Sequence, residues 1–351
     1  MGSQNFVKIL AIETSCDETA IALVETSGSL RSPRFRILKN IVSSQVKIHQ
    51  PFGGVVPSLA KREHLKNLPL VLKKVLDARY YVQDTDLVAV TVGPGLEPAL
   101  WTGINFAKDL AKQYKKPLLG VNHLEGHLYS FLLSRQKKTV VSSSQFSISK
   151  IYPAIVLIVS GGHTILIHQK NLTTWRKIGE TRDDAAGEAY DKVARMLNLP
   201  YPGGPELEKL ALSGNSSAME FPRPMIHQKN YDFSFSGLKT AVLYYLRDHP
   251  KARKKDVAAS FQQAIIDVLT QKTIRAANEY KVHSVILAGG VASNKALRKR
   301  LRAECRKNKL NSLSAERKYQ TDNAAMITVA AYISHLRDRK SRIIAQANLN
   351  L

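Results

Sequence analysis

One arrangement of strand, polar turn and strand occurs in each half of this chain. Residues 7–24 contain an apolar run, a turn of small polar residues and a second apolar run. Residues 154–168 repeat these three parts in the same order. Each copy is typical of two buried strands that are joined by a tight turn. The repetition predicts an α/β fold built from two similar lobes.

Two further segments place glycines between an apolar run and a helix-like run. Residues 87–92 precede the sequence Gly-Pro-Gly, and residues 284–288 precede a pair of glycines. Glycine lets a ligand approach the backbone, and the start of the following helix offers unpaired N–H groups to a phosphate. Neither segment has the spacing of a P-loop or of the dinucleotide fingerprint. Four such turns in one chain indicate a nucleotide held in a cleft between the two lobes.

The sequence carries a large excess of positive charge. Its 351 residues include 52 Lys and Arg against 28 Asp and Glu, which gives a formal net charge of +24. Basic clusters occur at residues 247–255, 298–309 and 337–342. One such cluster alone is more often a solvated helix face, but the whole excess favours a polyanionic partner such as nucleic acid. The cluster at 298–309 is our first choice for that contact, because it follows the glycine pair and Asn294.

The composition also excludes several classes of protein. The two cysteines, Cys16 and Cys305, form no CxxC pair, which excludes a disulfide framework and a cysteine-rich zinc site. No apolar run reaches the roughly 20 residues that a membrane helix needs, so we expect no membrane partner. An apolar strand begins at Val7, so we expect no signal or transit peptide here. A sequence from which a leader had been removed would look the same.

The segment from Asn122 to His127 is the clearest candidate for a metal site. Asn122 is a good N-cap for a helix. At about 100° per residue, His123 and His127 would lie about 40° apart on one helix face. Two imidazoles in that arrangement suit zinc or iron. An arbitrary pair of histidines at this spacing is more often structural. The pair therefore predicts a metal site only together with a third ligand.

Two other acidic residues bear on what this site can do. Glu125 follows His123 by two residues and so lies on roughly the opposite side of the helix. A zinc protease places its glutamate next to the first histidine instead, and no GxSxG elbow is present either. Asp322 precedes a predicted helix, where it could supply a carboxylate to the metal or could cap the helix. Spacing alone leaves both roles of Asp322 open.

Seven ordered motifs between residues 7 and 335 identify a family. The motifs are IETSCDET at 12–19, the His123/His127 pair, VSGGHT at 159–164, DDAAGEAYDK at 183–192, YPGGP at 201–205, FSFSGLK at 233–239 and GGVASN at 289–294. The chain resembles the tRNA N6-adenosine threonylcarbamoyltransferases (TsaD-like proteins, formerly called O-sialoglycoprotein endopeptidases). The resemblance implies an actin/Hsp70-like (ASKHA) fold with duplicated ribonuclease-H-like lobes and a ligand cleft between them.

We expect three regions along the chain. Residues 1–150 form the N-terminal lobe with the histidine pair, and residues 151–335 form the C-terminal lobe with the substrate and nucleotide loops. Residues 336–351 form a basic C-terminal helix that packs back on the N-terminal lobe. The polar, serine-rich residues 134–150 are the expected linker.

The resemblance also implies the reaction and the residues that serve it. The threonylcarbamoyl group of threonylcarbamoyl-AMP would pass to N6 of adenosine 37 in tRNAs that read ANN codons, with release of AMP. One divalent metal ion per subunit, iron or zinc, would be bound by His123, His127 and Asp322. Asp17 would be a catalytic carboxylate. The implied substrate-binding residues are Ile158, Val159, Ser160, Gly161, Gly162, Asp191, Gly204, Glu208 and Asn294.

One departure from the family pattern affects the metal. Some relatives have a tyrosine that can bind the metal two residues before the serine of the SGG turn, whereas this chain has Ile158. The protein should therefore offer three ligands and leave positions open for substrate or water.

Partners and compartment are implied by the resemblance and the charge. The partners implied are tRNA and a separate synthase that makes threonylcarbamoyl-AMP. The net charge and the basic residues 31–39 resemble the mitochondrial branch of the family, whose members act as homodimers. We therefore expect a homodimer in the mitochondrial matrix, with the cytoplasm as the alternative compartment.

Three other functions are open to a chain of this kind. An ASKHA-type ATPase or sugar kinase would share the fold, but it gives the histidine pair no role. A metal-dependent glycoprotease conflicts with the position of Glu125. A non-enzymatic assembly subunit would require degraded site motifs, and the motifs are present here.

Overall fold

The computed structural model describes residues 6–77, 79–133 and 148–351, and the chain divides into two compact units. Unit 1 contains Met1–Ile148 and Ala315–Leu351, and unit 2 contains Ser149–Ser314. Of the linker expected at 134–150, residues 134–147 lie outside the described residues.

The two units are built from ten strands and ten α-helices within the described part of the chain. The strands are β1 (Val7–Glu13), β2 (Glu18–Ser27), β3 (Arg34–Ser44), β4 (Leu87–Gly93), β5 (Leu118–Asn122), β6 (Ala154–Val159), β7 (Thr164–Asn171), β8 (Thr174–Glu180), β9 (Ser284–Ala288) and β10 (Asn311–Ser314). The helices are α1 (Val46–His49), α2 (Pro57–Val75), α3 (Glu97–Gln113), α4 (His123–Tyr129), α5 (Ala186–Met196), α6 (Gly203–Ala211), α7 (Ser236–Asp248), α8 (Lys254–Glu279), α9 (Lys295–Lys307) and α10 (Ala324–Leu336). Among these described helices, none has the length and apolar character that a membrane span requires.

The two sheets have the same topology. The sheet of unit 1 has the order β3-β2-β1-β4-β5, and the sheet of unit 2 has the order β8-β7-β6-β9-β10. In each sheet the first three strands pair antiparallel with their neighbours, the fourth pairs parallel with the central strand, and the fifth pairs parallel with the fourth. This correspondence confirms the duplicated α/β lobes that the repeated strand-turn-strand pattern predicts.

The core of unit 1 lies on both faces of its sheet. Successive strand residues point to opposite faces, so Leu10 and Ile12 of β1 face the helices α2 and α3 while Ile9 and Ala11 face the other way. Helix α10 packs on β1 and β2. Every residue from Ala324 to Ser334 is buried, as expected for a helix that is apolar on all sides.

The core of unit 2 joins its sheet to α5 and α8. Leu157 and Val159 of β6 belong to one apolar cluster with Val193 of α5 and Phe261 of α8. Helix α8 contributes most to this cluster, because it is buried along nearly its whole length. The loops after β6 and β9 are therefore anchored on a rigid base.

The boundary between the lobes differs from the expected one at the C-terminal end. Residues 315–335 belong to unit 1, because the chain leaves the sheet of unit 2 after β10 and α10 packs on the sheet of unit 1. The expected C-terminal helix at 336–351 is also wrong, since α10 ends at Leu336 and no helix comes after it. These residues do pack on unit 1, through Ile343, Ala345 and Leu349.

Candidate active site

Three parallel strands of unit 1 end at one edge of their sheet. Strand β1 pairs parallel with β4, and β4 pairs parallel with β5. The carboxyl ends of these strands carry Glu13, Gly93 and Asn122. In open α/β sheets, ligands bind outside the carboxyl ends of the strands. The helix α4 begins at this edge.

Helix α4 places the two histidines as the sequence predicts. The Asn122 side chain accepts hydrogen bonds from the backbone N–H of Leu124 at 2.8 Å and of Glu125 at 3.4 Å, which fixes the start of the helix. The rings of His123 and His127 then lie with their centroids 4.8 Å apart. The predicted shared helix face is confirmed.

Asp322 reaches both histidines from the loop before α10. Its Oδ1 lies 3.1 Å from Nε2 of His127 and 3.5 Å from Nε2 of His123. The cap of α10 is Asn323, whose side chain accepts from the backbone N–H of Met326. Asp322 is therefore not needed as a cap, and one ligand atom from each of the three residues lies within 4.8 Å of the others.

The chemistry of this cluster fits a metal ion. His127 is fully buried, and within the described part of the chain neither of its ring nitrogens has a hydrogen-bond partner. Buried polar atoms are normally paired, so an imidazole that has a carboxylate 3.1 Å away but makes no hydrogen bond suits coordination of a metal. Two imidazoles and one carboxylate are a common ligand set for zinc and for non-haem iron. Three protein ligands would leave coordination positions open for substrate or water.

A fourth residue of the site, Glu13, was missed as a functional residue by the sequence analysis. Its Oε2 lies 2.9 Å from Nδ1 of His123, and it also accepts from the Thr91 hydroxyl at 2.7 Å. Because a carboxylate only accepts, Nδ1 carries the hydrogen and Nε2 remains for the metal. The signal that could have found Glu13 is its position at the end of β1, on the same sheet edge as the end of β5.

Burial and charge shift the pKa values of His123 and Glu13 in opposite directions. Burial lowers the pKa of His123, but Glu13 and Asp322 outweigh burial and raise that pKa to about 9. Burial raises the pKa of Glu13, but the charge and hydrogen bond of His123 outweigh burial and lower it below its ordinary value. Glu13 is therefore ionised and holds the imidazole in one orientation.

Asp17 lies in the turn after β1, between Cys16 and Glu18, and burial raises the pKa of both neighbours. Burial, followed by the nearby Asp17 carboxylate, raises the pKa of the Cys16 thiol. The same two causes raise the pKa of Glu18, which shares a hydrogen bond with Asp17. Both shifts favour the neutral forms, the thiol of Cys16 and the carboxyl group of Glu18. The Ser15 hydroxyl of the same turn lies 3.2 Å from Nδ1 of His123, which places this turn beside the metal ligands.

Glu125 has a structural partner on its own side of α4. Its carboxylate is nearly buried and accepts a hydrogen bond from the Arg339 guanidinium at 2.5 Å. The interpretation that Glu125 cannot act as a base beside the metal agrees with this geometry.

In unit 2, the Ser160–Gly162 turn leaves open space beside its backbone. Ser160 donates its backbone N–H to the carbonyl of His163, which closes the turn. A Cβ added to Gly161 or Gly162 would meet no atom within 4 Å. A Cβ on Gly187 would lie 2.4 Å from the Ser160 carbonyl oxygen, so glycine there lets α5 approach the turn closely. The turn is thus fixed on one side and open on the other.

Other residues expected to bind substrate organise the neighbouring helix starts. Asp191 accepts from the backbone N–H of Gly203 at 2.8 Å and of Gly204 at 3.1 Å, which caps α6. Asn294 caps α9 by accepting from the N–H of Leu297 at 2.9 Å. The side-chain oxygens of both residues are thus used within the protein, where they fix the loops that precede α6 and α9.

Glu208 and two strand residues complete the expected set. The Glu208 carboxylate accepts the backbone N–H of Lys295 at 2.6 Å, which links α6 to the start of α9. Ile158 and Val159 are fully buried in β6, so their side chains offer no surface to a ligand. The surface that a ligand can reach lies in the Ser160–Gly162 turn, directly after these two residues.

The two units and their sites define a class of protein: a two-lobed α/β enzyme with a candidate His-His-Asp metal centre. Two solved structures share the fold. HypF from T. kodakarensis is 14% identical with a TM-score of 0.58, covering 95% of this chain and 48% of that chain. The 2-hydroxyisocaproyl-CoA dehydratase activator from Clostridium difficile is 12% identical with a TM-score of 0.51, covering 95% and 96%. At this identity the likeness shows the actin/Hsp70-like fold alone.

Sequence relatives identify the family. The family model for tRNA N6-adenosine threonylcarbamoyltransferase, TsaD, matches residues 36–329. The chain is similar to proteins of that name from Thermosipho melanesiensis, with 48% identity over 98% of this chain and 99% of the relative, and from Moorella thermoacetica, with 48% identity over 94% and 92%. The chain belongs to the tRNA N6-adenosine threonylcarbamoyltransferase family. Its activity is that of an acyltransferase that forms threonylcarbamoyladenosine at position 37 of tRNA, and neither the relatives nor the site favours the kinase or protease alternatives.

We predict that replacing His127 with alanine removes the bound metal while the fold survives. The buried imidazole contacts Asp322 but makes no hydrogen bond with any described residue, so its loss leaves the hydrogen bonds of the fold intact. Metal content by elemental analysis should fall to background, and transfer activity should be abolished. The control is His335→Ala at an exposed position of α10. A His127→Ala protein with full metal content and activity would show that the site assignment is wrong.

We predict that Glu13→Gln weakens metal binding about 10-fold to 100-fold, the usual effect of losing a partner that orients a metal-bound histidine. The amide keeps the size of the side chain but removes the charge that orients His123. Affinity is measured by competition with a chromogenic chelator. Glu25→Gln, which changes a carboxylate paired with Arg36 elsewhere in unit 1, is the matched control. Equal metal affinity in both variants would contradict the role of Glu13.

Proposed function

We propose that threonylcarbamoyl-AMP, made by a separate synthase, is the donor, and that the acceptors are tRNAs that read ANN codons. The exocyclic N6 of adenosine 37 would attack the carbamoyl carbonyl carbon. The new N–C bond forms, the bond from that carbon to the phosphate oxygen breaks, and AMP leaves while N6 loses a proton. The observation that carries the proposal is the His123–His127–Asp322 cluster, because its buried donor set suits a metal ion.

In unit 1 the chain's own residues hold the metal and set the local charge. His123, His127 and Asp322 would bind one divalent ion, iron or zinc, which supplies a Lewis acid that polarises the donor. Glu13 fixes the His123 ring so that Nε2 faces the ion. Asp17 is the proposed catalytic carboxylate, and it shares a hydrogen bond with Glu18, whose pKa is raised by burial and by the neighbouring carboxylates. Which group accepts the N6 proton is left open.

In unit 2 the backbone would bind the adenylate part of the donor. The open side of the Ser160–Gly162 turn has room for a phosphate. The backbone N–H groups of Gly161 and Gly162 would bind it, as oriented backbone amides do in other anion sites. Asp191 and Asn294 would act by fixing the starts of α6 and α9, and Gly204 stands at one of these starts. Binding and orientation of a reactive donor account for much of the rate gain that enzymes of this kind need.

Quaternary structure and compartment are further parts of the proposal. The homodimer and the mitochondrial matrix stay predictions from the charge and from the resemblance to the mitochondrial branch of the family, with the cytoplasm as the alternative compartment. Both sequence relatives are bacterial, which favours the cytoplasmic alternative. Sedimentation equilibrium of the purified protein tests the dimer, and fractionation of cells from the source organism tests the compartment.

The activity is tested by nucleoside analysis of tRNA. The purified protein is incubated with unmodified tRNA, threonine, bicarbonate, ATP and a threonylcarbamoyl-AMP synthase. We expect threonylcarbamoyladenosine in tRNAs that read ANN codons, and none when the synthase is left out. Replacing adenosine 37 with guanosine is the matched control. Product formation without the synthase would contradict the proposed donor.

We predict that Gly161→Val lowers the affinity for a non-hydrolysable adenylate analogue well before it lowers thermal stability. A Cβ at this position meets no protein atom within 4 Å, so the fold has room for the side chain. The valine side chain would, however, occupy the space that a phosphate bound against the turn needs. Calorimetry and thermal melting measure the two effects. Parallel losses of affinity and stability would instead indicate a purely structural turn.

A further inference from the structure

Helix α9 combines a firmly anchored face with an exposed basic face. Seven of its 13 residues are Lys or Arg, and one is acidic. Leu297, Leu301 and Cys305 are buried in the core of unit 2. The helix orientation is therefore fixed, and so is the set of cations that it presents to solvent.

Ion pairing and exposure distinguish two groups among these cations, and the half-buried Arg298 belongs to neither. Arg300 and Lys307 both pair with Glu304, at 3.6 and 3.1 Å. A second group is exposed, and none of its side chains forms an ion pair within the described residues. This group, the α9 row, consists of Lys295, Lys299, Arg302 and Arg306.

The α9 row is straight. Its members are spaced by four, three and four residues, so at about 100° per residue they lie within about 60° of one another on the helix surface. With a rise of about 1.5 Å per residue, the row is about 17 Å long. Like charges at these spacings repel each other and destabilise a helix. The repulsion within the row destabilises the helix, and no described residue forms an ion pair with the row. These two features indicate that the row binds an anion from outside the protein.

We propose that the α9 row binds the phosphate backbone of the tRNA substrate. The inference rests on the proposed function, since it names the surface that meets this tRNA. A nucleic acid strand is a line of regularly spaced negative charges, and it binds cations by releasing condensed counterions. The row narrows the contact that we expect from the cluster at 298–309, because Arg300 of that cluster pairs with Glu304.

The position of the row suits this role. Asn294 caps α9 and ends the GGVASN motif, and the row begins with the next residue, Lys295. The backbone N–H of Lys295 is held by Glu208 of α6. The row therefore starts at the proposed nucleotide loops and extends along the surface of unit 2, where phosphate contacts can fix the orientation of the RNA.

The experiment compares two double variants of the same helix with the same change in charge. The first, Lys299→Gln with Arg302→Gln, shortens the α9 row. The second, Arg300→Gln with Lys307→Gln, removes the paired cations. Affinity for an unmodified ANN-reading tRNA is measured at several salt concentrations. We expect the first variant to bind about tenfold more weakly, and its log–log salt slope to fall in magnitude by about 1.4 to 1.8, since each contact contributes roughly 0.7 to 0.9.

The second variant should stay within twofold of the wild type in affinity. Both variants should keep the wild-type melting temperature and affinity for the adenylate analogue. Unchanged tRNA binding by the first variant overturns the inference, and so does an equal loss in both, which would report net charge alone. Row-dependent binding to vesicles of anionic lipid, with tRNA binding unaffected, would assign the row to a membrane surface instead. A wild type that binds tRNA through the row yet forms no threonylcarbamoyladenosine would overturn the proposed function and leave this inference standing.

Discussion

The site in unit 1 depends on the hydrogen bond between Glu13 and His123. An ionised carboxylate in a buried position costs several kcal/mol, so it is stable there only with partners that offset its desolvation. Glu13 has such partners in the imidazole of His123 and the hydroxyl of Thr91. This arrangement fixes the proton on Nδ1 and turns Nε2 toward Asp322. The parallel pairing of β1, β4 and β5 is what brings these partners to one edge.

Glycine contacts hold the polar turn of each unit in place by the same physical means. In unit 1, a Cβ on Gly103 would lie 2.2 Å from the Thr14 hydroxyl, so α3 can lie against the first turn only because this residue is glycine. In unit 2, Gly187 does the same for α5 and the Ser160–Gly162 turn. The duplication thus extends beyond the order of the strands. It includes the way in which a helix supports the turn, although the two turns carry different chemistry.

The sequence predicts those parts of the molecule that local periodicity controls. The repeated strand-turn-strand pattern predicts the two sheets, and the four-residue spacing predicts the shared face of His123 and His127. Asp322 is different, because its meeting with the histidines depends on how α10 packs, and spacing could not decide between a ligand and a cap. Glu13 was missed for a similar reason, since its partner His123 lies far away in the sequence. The C-terminal boundary was misjudged because an all-apolar helix such as α10 does not reveal which sheet it covers.

Several residues that family resemblance assigns to the substrate are helix caps in this structure. Asp191 and Asn294 use their side-chain oxygens to accept the first N–H groups of α6 and α9. A cap of this kind contributes about 1 kcal/mol to helix stability, and it also fixes where the remaining free N–H groups point. Replacing such a residue would therefore disturb a bound anion without removing a direct contact. On this interpretation the loops of unit 2 recognise a ligand through their backbone, and the side chains that matter most are those that hold the backbone still.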